Sequence, residues 1–108
     1  MEQKQSTGSL EASDAAAAAV AKTEARVTLD SIRAKVATVE YHHPNVAGHM
    51  TVAFVRMENG FIVIGKSAPA DPLNFDAELG HKFALEDALR QVWALEGYLL
   101  CEKLTEFA

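Results

Sequence analysis

Hydrophobic and polar positions change rhythm along this chain, and each change marks an element. Residues 1–25 are polar and then alanine-rich, and apart from Met1 their only larger apolar side chains are Leu10 and Val20. Such a stretch buries too little surface to offset the entropy of ordering a backbone. It is predicted to be a disordered tail, with Ala15 to Ala21 forming at most a transient helix behind Ser13 or Asp14. From Arg26 to Val36 the spacing becomes helical: Val27, Leu29, Ile32 and Val36 supply an apolar stripe, Thr28 can cap it, and Asp30 sits in the first turn where the dipole favours an acid. Ala37 to His43 then alternates and is β-branched in part, which predicts a first strand leading into a loop at Pro44-Asn45, with Gly48 freeing the chain beyond it.

The strongest local signal follows. Two apolar runs, Met50 to Met57 and Phe61 to Gly65, are separated by Asn59-Gly60, the dipeptide suited to the positive φ angles of a type I′ hairpin turn. A half-exposed hairpin alternates apolar with polar, but Val52 to Val55 and Phe61 to Ile64 are apolar on both faces. Both faces of the sheet therefore need cover. Helices can supply one side, and a second copy of the chain is the economical candidate for the other, so a homo-oligomer is expected.

Beyond the hairpin, Ala68-Pro69-Ala70-Asp71-Pro72 is a rigid, extended exit, because a residue preceding proline is pushed away from the helical region. A helix is predicted to start near Asn74 to Asp76, either of which can cap it. Leu79, Phe83, Leu85, Ala88, Leu89, Val92, Trp93, Leu95, Leu99 and Leu100 then recur at three- and four-residue intervals. Gly80 and Gly97 each cost about 1 kcal/mol inside a helix, so a break around Ala94 to Gly97 and a helix pair are predicted. The expected architecture is a single α+β domain over residues 26–108. It has a small antiparallel sheet of three to four strands, a short N-terminal helix, and a C-terminal helix pair packed on one face.

Composition narrows the function classes. At 108 residues with 49 % hydrophobic content, there is room for one modest core. The formal charge of -5 conceals no basic half, since residues 1–25 carry two basic against four acidic side chains and the remainder eight against eleven. A broad phosphate-neutralising surface for nucleic acid is disfavoured. The single cysteine, Cys101, rules out an internal disulfide and fits a reducing cytosol. Glu2, Glu11 and Asp14 stand where a secretory leader would be basic, and no apolar run approaches the length of a membrane span. A cytoplasmic protein is expected.

Catalytic chemistry finds little support in the spacing. His42, His43, His49 and His81 are the candidate metal ligands, but no pair has the i, i+4 spacing that places two imidazoles on one helical face, and no second cysteine joins them. No metal or other cofactor is expected. Cys101 reads as a half-buried thiol on a terminal helix, and Glu78, Glu86, Asp87 and Glu96 as a solvated helix face. Gly60 and Gly65 lack the repeat and following helix of a phosphate-cradling loop. Binding is the better expectation. The polar, proline-constrained Asp71 to Asp76 segment lies where sheet hands over to helix, with Asn74 and Asp76 offering hydrogen bonds beside Phe75, and helical amides able to favour an anion. The competing reading has Asp76 or Asn74 capping the helix and Phe75 stapling it to the sheet. Trp93 and Tyr98 read as helix-core aromatics in the same way. Arg56, Lys66, Lys82 and Arg90 are the cations that oligomerisation could gather, and the candidate ligand-binding set is Asn74, Phe75, Asp76, Lys66 and Arg90.

Three segments carry a family resemblance: Asn59-Gly-Phe-Ile-Val-Ile-Gly65, Asp71-Pro-Leu-Asn-Phe-Asp-Ala-Glu-Leu-Gly80, and Leu89 to Leu100 ending in Trp93-Ala-Leu-Glu-Gly-Tyr-Leu-Leu. Together they resemble the small tailed-phage and prophage proteins typed by an enterobacterial phage's gene 49 product, over roughly Thr28 to Leu100. The chain departs from that pattern at Lys66, where members tend to be acidic, and at Pro69-Ala70, where a Cys-Val pair is common. The resemblance implies a phage or prophage origin and little chemistry. The resulting expectation is a non-enzymatic accessory protein that acts by binding in the host cytoplasm, in its narrowest form as a sponge for a nucleotide immune signal. The alternatives are an inhibitor that occupies a host enzyme, and a minor virion or assembly component.

Overall fold

The structure is a computed structural model and describes residues 9–106. In chain order the elements are α1 (Ser9–Val20), α2 (Leu29–Ala34), β1 (Val36–His42), β2 (Thr51–Met57), β3 (Ile62–Ser67), a 3₁₀ turn (Pro72–Asn74) and α3 (Ala77–Glu106). The strands form one antiparallel sheet in the order β1-β2-β3. With extents of 52 × 34 × 17 Å, the molecule is two layers thick: a sheet with helices on one side. The expected α+β class and antiparallel sheet are present, with three strands.

The hairpin closes differently from the type I′ expectation. Met57 N–H donates to the Phe61 carbonyl and Gly60 N–H to the Met57 carbonyl, leaving a three-residue loop, Glu58-Asn59-Gly60, in which Gly60 has φ +90°. A loop of this length suits a helical turn followed by one left-handed residue, and glycine takes that position without a Cβ penalty. Asn59 contributes its side chain instead, accepting from Phe61 N–H. The loop is also fastened to the end of α2, because Glu58 N–H donates to the Lys35 carbonyl.

Along β2 burial alternates, with Thr51, Ala53, Val55 and Met57 inward, and along β3 Val63 and Gly65 face the same way. They meet Ala84, Ala88, Leu89 and Val92 of α3, while Leu29 and Ile32 of α2 close the core at one end. Close approach is possible because small residues face each other. A Cβ on Gly65 would collide with the Ala84 carbonyl and lie 2.5 Å from Ala88 N, and one on Gly80 would lie 2.5 Å from Thr51 Oγ1. Gly80 therefore serves helix-to-sheet contact.

Three expectations are corrected. The C-terminal helix pair is one continuous helix of 30 residues: Gly97 sits inside α3 with nothing within 4 Å of where a Cβ would be, and with no proline in this stretch the hydrogen-bond ladder runs through it. The disordered tail is helical from Ser9 to Val20, while residues 1–8 lie outside the described residues. Leu10 is buried in the core, Glu11 pairs with Arg33 at 2.6 Å, and Asp14 accepts from Arg26 and from Leu29 N–H, so a few specific contacts hold what composition alone could not. The carboxylates of α3 are not simply solvated. Glu86 is 4 % exposed beside Lys82, Glu96 pairs with Lys35 at 2.6 Å, and Asp87 accepts from Lys66 N–H.

Candidate functional site

The handover from sheet to helix is built as a pair of caps. Asp71 Oδ1 accepts from Leu73 N–H at the start of the 3₁₀ turn, and Asp76 Oδ1 accepts from Leu79 N–H at the start of α3. Both carboxylates satisfy otherwise unpaired helical amides, the purpose for which aspartate is favoured at these positions. Phe75 turns its ring to His43 in an edge contact with centroids 5.6 Å apart.

His43 opens onto a cluster that no sequence spacing announces. Just past the end of β1 its Nδ1 lies 3.1 Å from the Met50 carbonyl, and its Nε2 lies 3.4 Å from Nε2 of His81 on α3. His81 stacks in turn on Tyr41 of β1, with centroids 4.0 Å apart and planes 6° from parallel. Burial pushes the Tyr41 phenol above its ordinary range.

The opposite face of the sheet has no helix on it. Cross-strand pairing places Thr38, Arg56 and Ile62 in one row, Glu40, Phe54 and Ile64 in the next, and His42, Val52 and Lys66 in a third. Phe54 is 37 % exposed, Ile62 50 % and Ile64 51 %, so apolar side chains line an open face whose charges are Glu40 on β1, Arg56 on β2 and Lys66 on β3. The free edge of β3 is occupied differently: Asp87 accepts from Lys66 N–H and Gln91 Nε2 donates to the Ile64 carbonyl. Side chains of α3 thereby take up backbone groups that another strand would need.

A groove of about 490 Å³ lies beside the hairpin loop, floored by Met57, Phe61, Val92, Leu95 and Leu99 and rimmed by the Lys35–Glu96 ion pair. Here α3 runs past the sheet. Tyr98, expected in the helix core, is 66 % exposed on the groove's margin, whereas Trp93 packs against the core. Cys101 is exposed rather than half-buried.

Of the five expected ligand-binding residues, Asn74, Phe75 and Asp76 are together in the capping segment. Lys66 projects from the open sheet face, away from that segment. Arg90 lies elsewhere on α3, where its Nη2 donates to Ser9 Oγ of α1. Tyr41, His43 and His81 were missed or dismissed because their proximity is made by the fold, across more than thirty residues of sequence. Among the described residues no group of three or more His, Cys, Asp or Glu side chains is placed to hold a metal ion.

Residues 27–104 match the family described as Phage protein (N4 Gp49/phage Sf6 gene 66) family. The chain belongs to this family. The match spans α2 through nearly all of α3 and takes in every strand, while α1 precedes it. No curated protein and no solved structure matched the chain. Among the described residues no helix is long and apolar enough to cross a membrane.

Proposed function

We propose that this phage-family protein is a non-enzymatic accessory factor that acts by binding in the cytoplasm of an infected or lysogenic bacterium, and that it does so as an assembly of identical chains. The observation carrying this reading is the uncovered sheet face, where Val52, Phe54, Ile62 and Ile64 present apolar surface between charges of opposite sign. A second copy is the occupant that fits. With a two-fold axis parallel to the strands, β1 of one copy lies over β3 of the other, Val52 and Phe54 meet their counterparts near the axis, and Glu40 lies over Ile64 of the other copy, one row from its Lys66. The blunted β3 edge favours this face-to-face packing over edge-to-edge extension of the sheet through β3. A non-catalytic role is supported by the tying of Asp87 and Glu96 into structural contacts.

The narrower version is a sponge for a nucleotide signal, held between copies with the two Arg56 side chains, which face each other near the axis, as its phosphate-facing cations. Native mass spectrometry of protein purified gently from a phage-bearing host reads both levels at once. An oligomer carrying a nucleotide-sized mass supports the sponge, and an empty oligomer supports self-assembly alone. A stoichiometric host protein in place of a second copy moves the conclusion to inhibition of a host enzyme. A bare monomer at working concentration overturns the assembly.

A further inference from the structure

We infer that His43 and His81 form a bidentate site for a first-row divalent cation, of which zinc(II) is the natural probe. The Nε2 atoms are 3.4 Å apart. One ring donating from Nε2 to the other would make this a long hydrogen bond. The same distance is the separation expected of two imidazoles on one tetrahedral ion: zinc–nitrogen bonds of about 2.0–2.1 Å place their donor atoms about 3.3–3.4 Å apart.

Proton placement agrees with this. A carbonyl oxygen only accepts, so the contact between His43 Nδ1 and the Met50 carbonyl puts the ring proton on Nδ1 and leaves Nε2 with its lone pair free. Backbone carbonyls orient metal-binding histidines in this way. The second ring is held by packing. His81 lies flat on Tyr41, and Phe75 meets the His43 ring edge-on, so neither imidazole has to be gathered from solvent. His43 is exposed and His81 half-buried, which leaves the pair accessible.

Imidazole donors suit zinc, copper and nickel in preference to magnesium or calcium. With two protein nitrogens, at least two positions of a tetrahedral ion stay open to water or to an oxygen donor from another molecule. The site is therefore an open one, distinct from the uncovered sheet face, and its success or failure is independent of the oligomer proposed above.

The test is isothermal titration of the untagged full chain with zinc(II), beside His43→Ala, His81→Ala and His42→Ala, with the fold of each checked by circular dichroism. His42 belongs to the opposite face of the sheet and serves as the control. One ion per chain is expected, with affinity falling at least about tenfold in each of the first two variants and unchanged in the third. Nitrogen-15 NMR should show the Nε2 resonances of His43 and His81 moving on titration, a readout that survives even if one alanine variant folds poorly. Absence of heat and of imidazole shifts in the native chain, or equal binding by all variants, overturns the site and leaves the pair as a packing contact.

Discussion

At the scale of the residue, small side chains decide how near helix and sheet can come. Gly65 has no left-handed backbone to require it, yet any Cβ there would enter the α3 backbone at Ala84 and Ala88. Gly65→Ala should destabilise the protein by about 3 kcal/mol, the upper range for overpacking, because a helix backbone cannot rotate aside as a side chain can. Chemical denaturation measures this, and an unchanged midpoint would refute the close approach. Gly97 presents the reverse case, with open space around it in the middle of a helix. Gly97→Ala is expected to raise stability by about 1 kcal/mol, read in the same experiment. In the sequence Gly80 and Gly97 look alike as interruptions of a helix; only their surroundings separate the needed one, against Thr51, from the tolerated one.

At the scale of the element, borders and edges follow from single side chains. Thr28 accepts from Ser31 N–H at the start of α2, the cap that the sequence pattern indicates. The β3 edge is less legible, since Asp87 and Gln91 reach it from a helix distant in sequence. Replacing both with alanine should free backbone groups for another strand, and light scattering should then record association that grows with concentration. Helix α1 depends on charge. Its Glu11 carboxyl is held below the ordinary 4.5 by the hydrogen bond from Arg33. Because the folded value is the lower one, this contribution is present above pH 4.5 and is lost as pH falls through the folded value. Hydrogen-exchange protection factors in α1 should therefore fall in acid before those in β2 do, by a small factor, since the pair is exposed and screened by solvent.

At the scale of the whole molecule, the sheet is finished on one side and open on the other. Phe54→Glu should leave the fold intact, since the side chain points away from the core, and should abolish self-association in analytical ultracentrifugation. Glu40→Lys alone should weaken the assembly and Glu40→Lys with Lys66→Glu should restore it, because the two charges stand one row apart on strands that face each other between copies and are not neighbours within one. Equal sedimentation of native and Phe54→Glu chains would remove the open face as an interface.

The sequence by itself determined the local features: α2 with its cap, the hairpin, a proline-constrained link, a start of α3 near Asn74 to Asp76, and an apolar content that no single helix layer could cover. Each rests on neighbours within a few residues, where periodicity, capping and turn chemistry act. Tertiary structure decided the rest. Leu10 and two ion pairs docked a segment whose composition favours disorder, and α3 continued through Gly97. His43 and His81, separated by a hairpin and a proline link, came within 3.4 Å. Those outcomes depend on contacts between elements, whose energies add only once the sheet and helix layers have met.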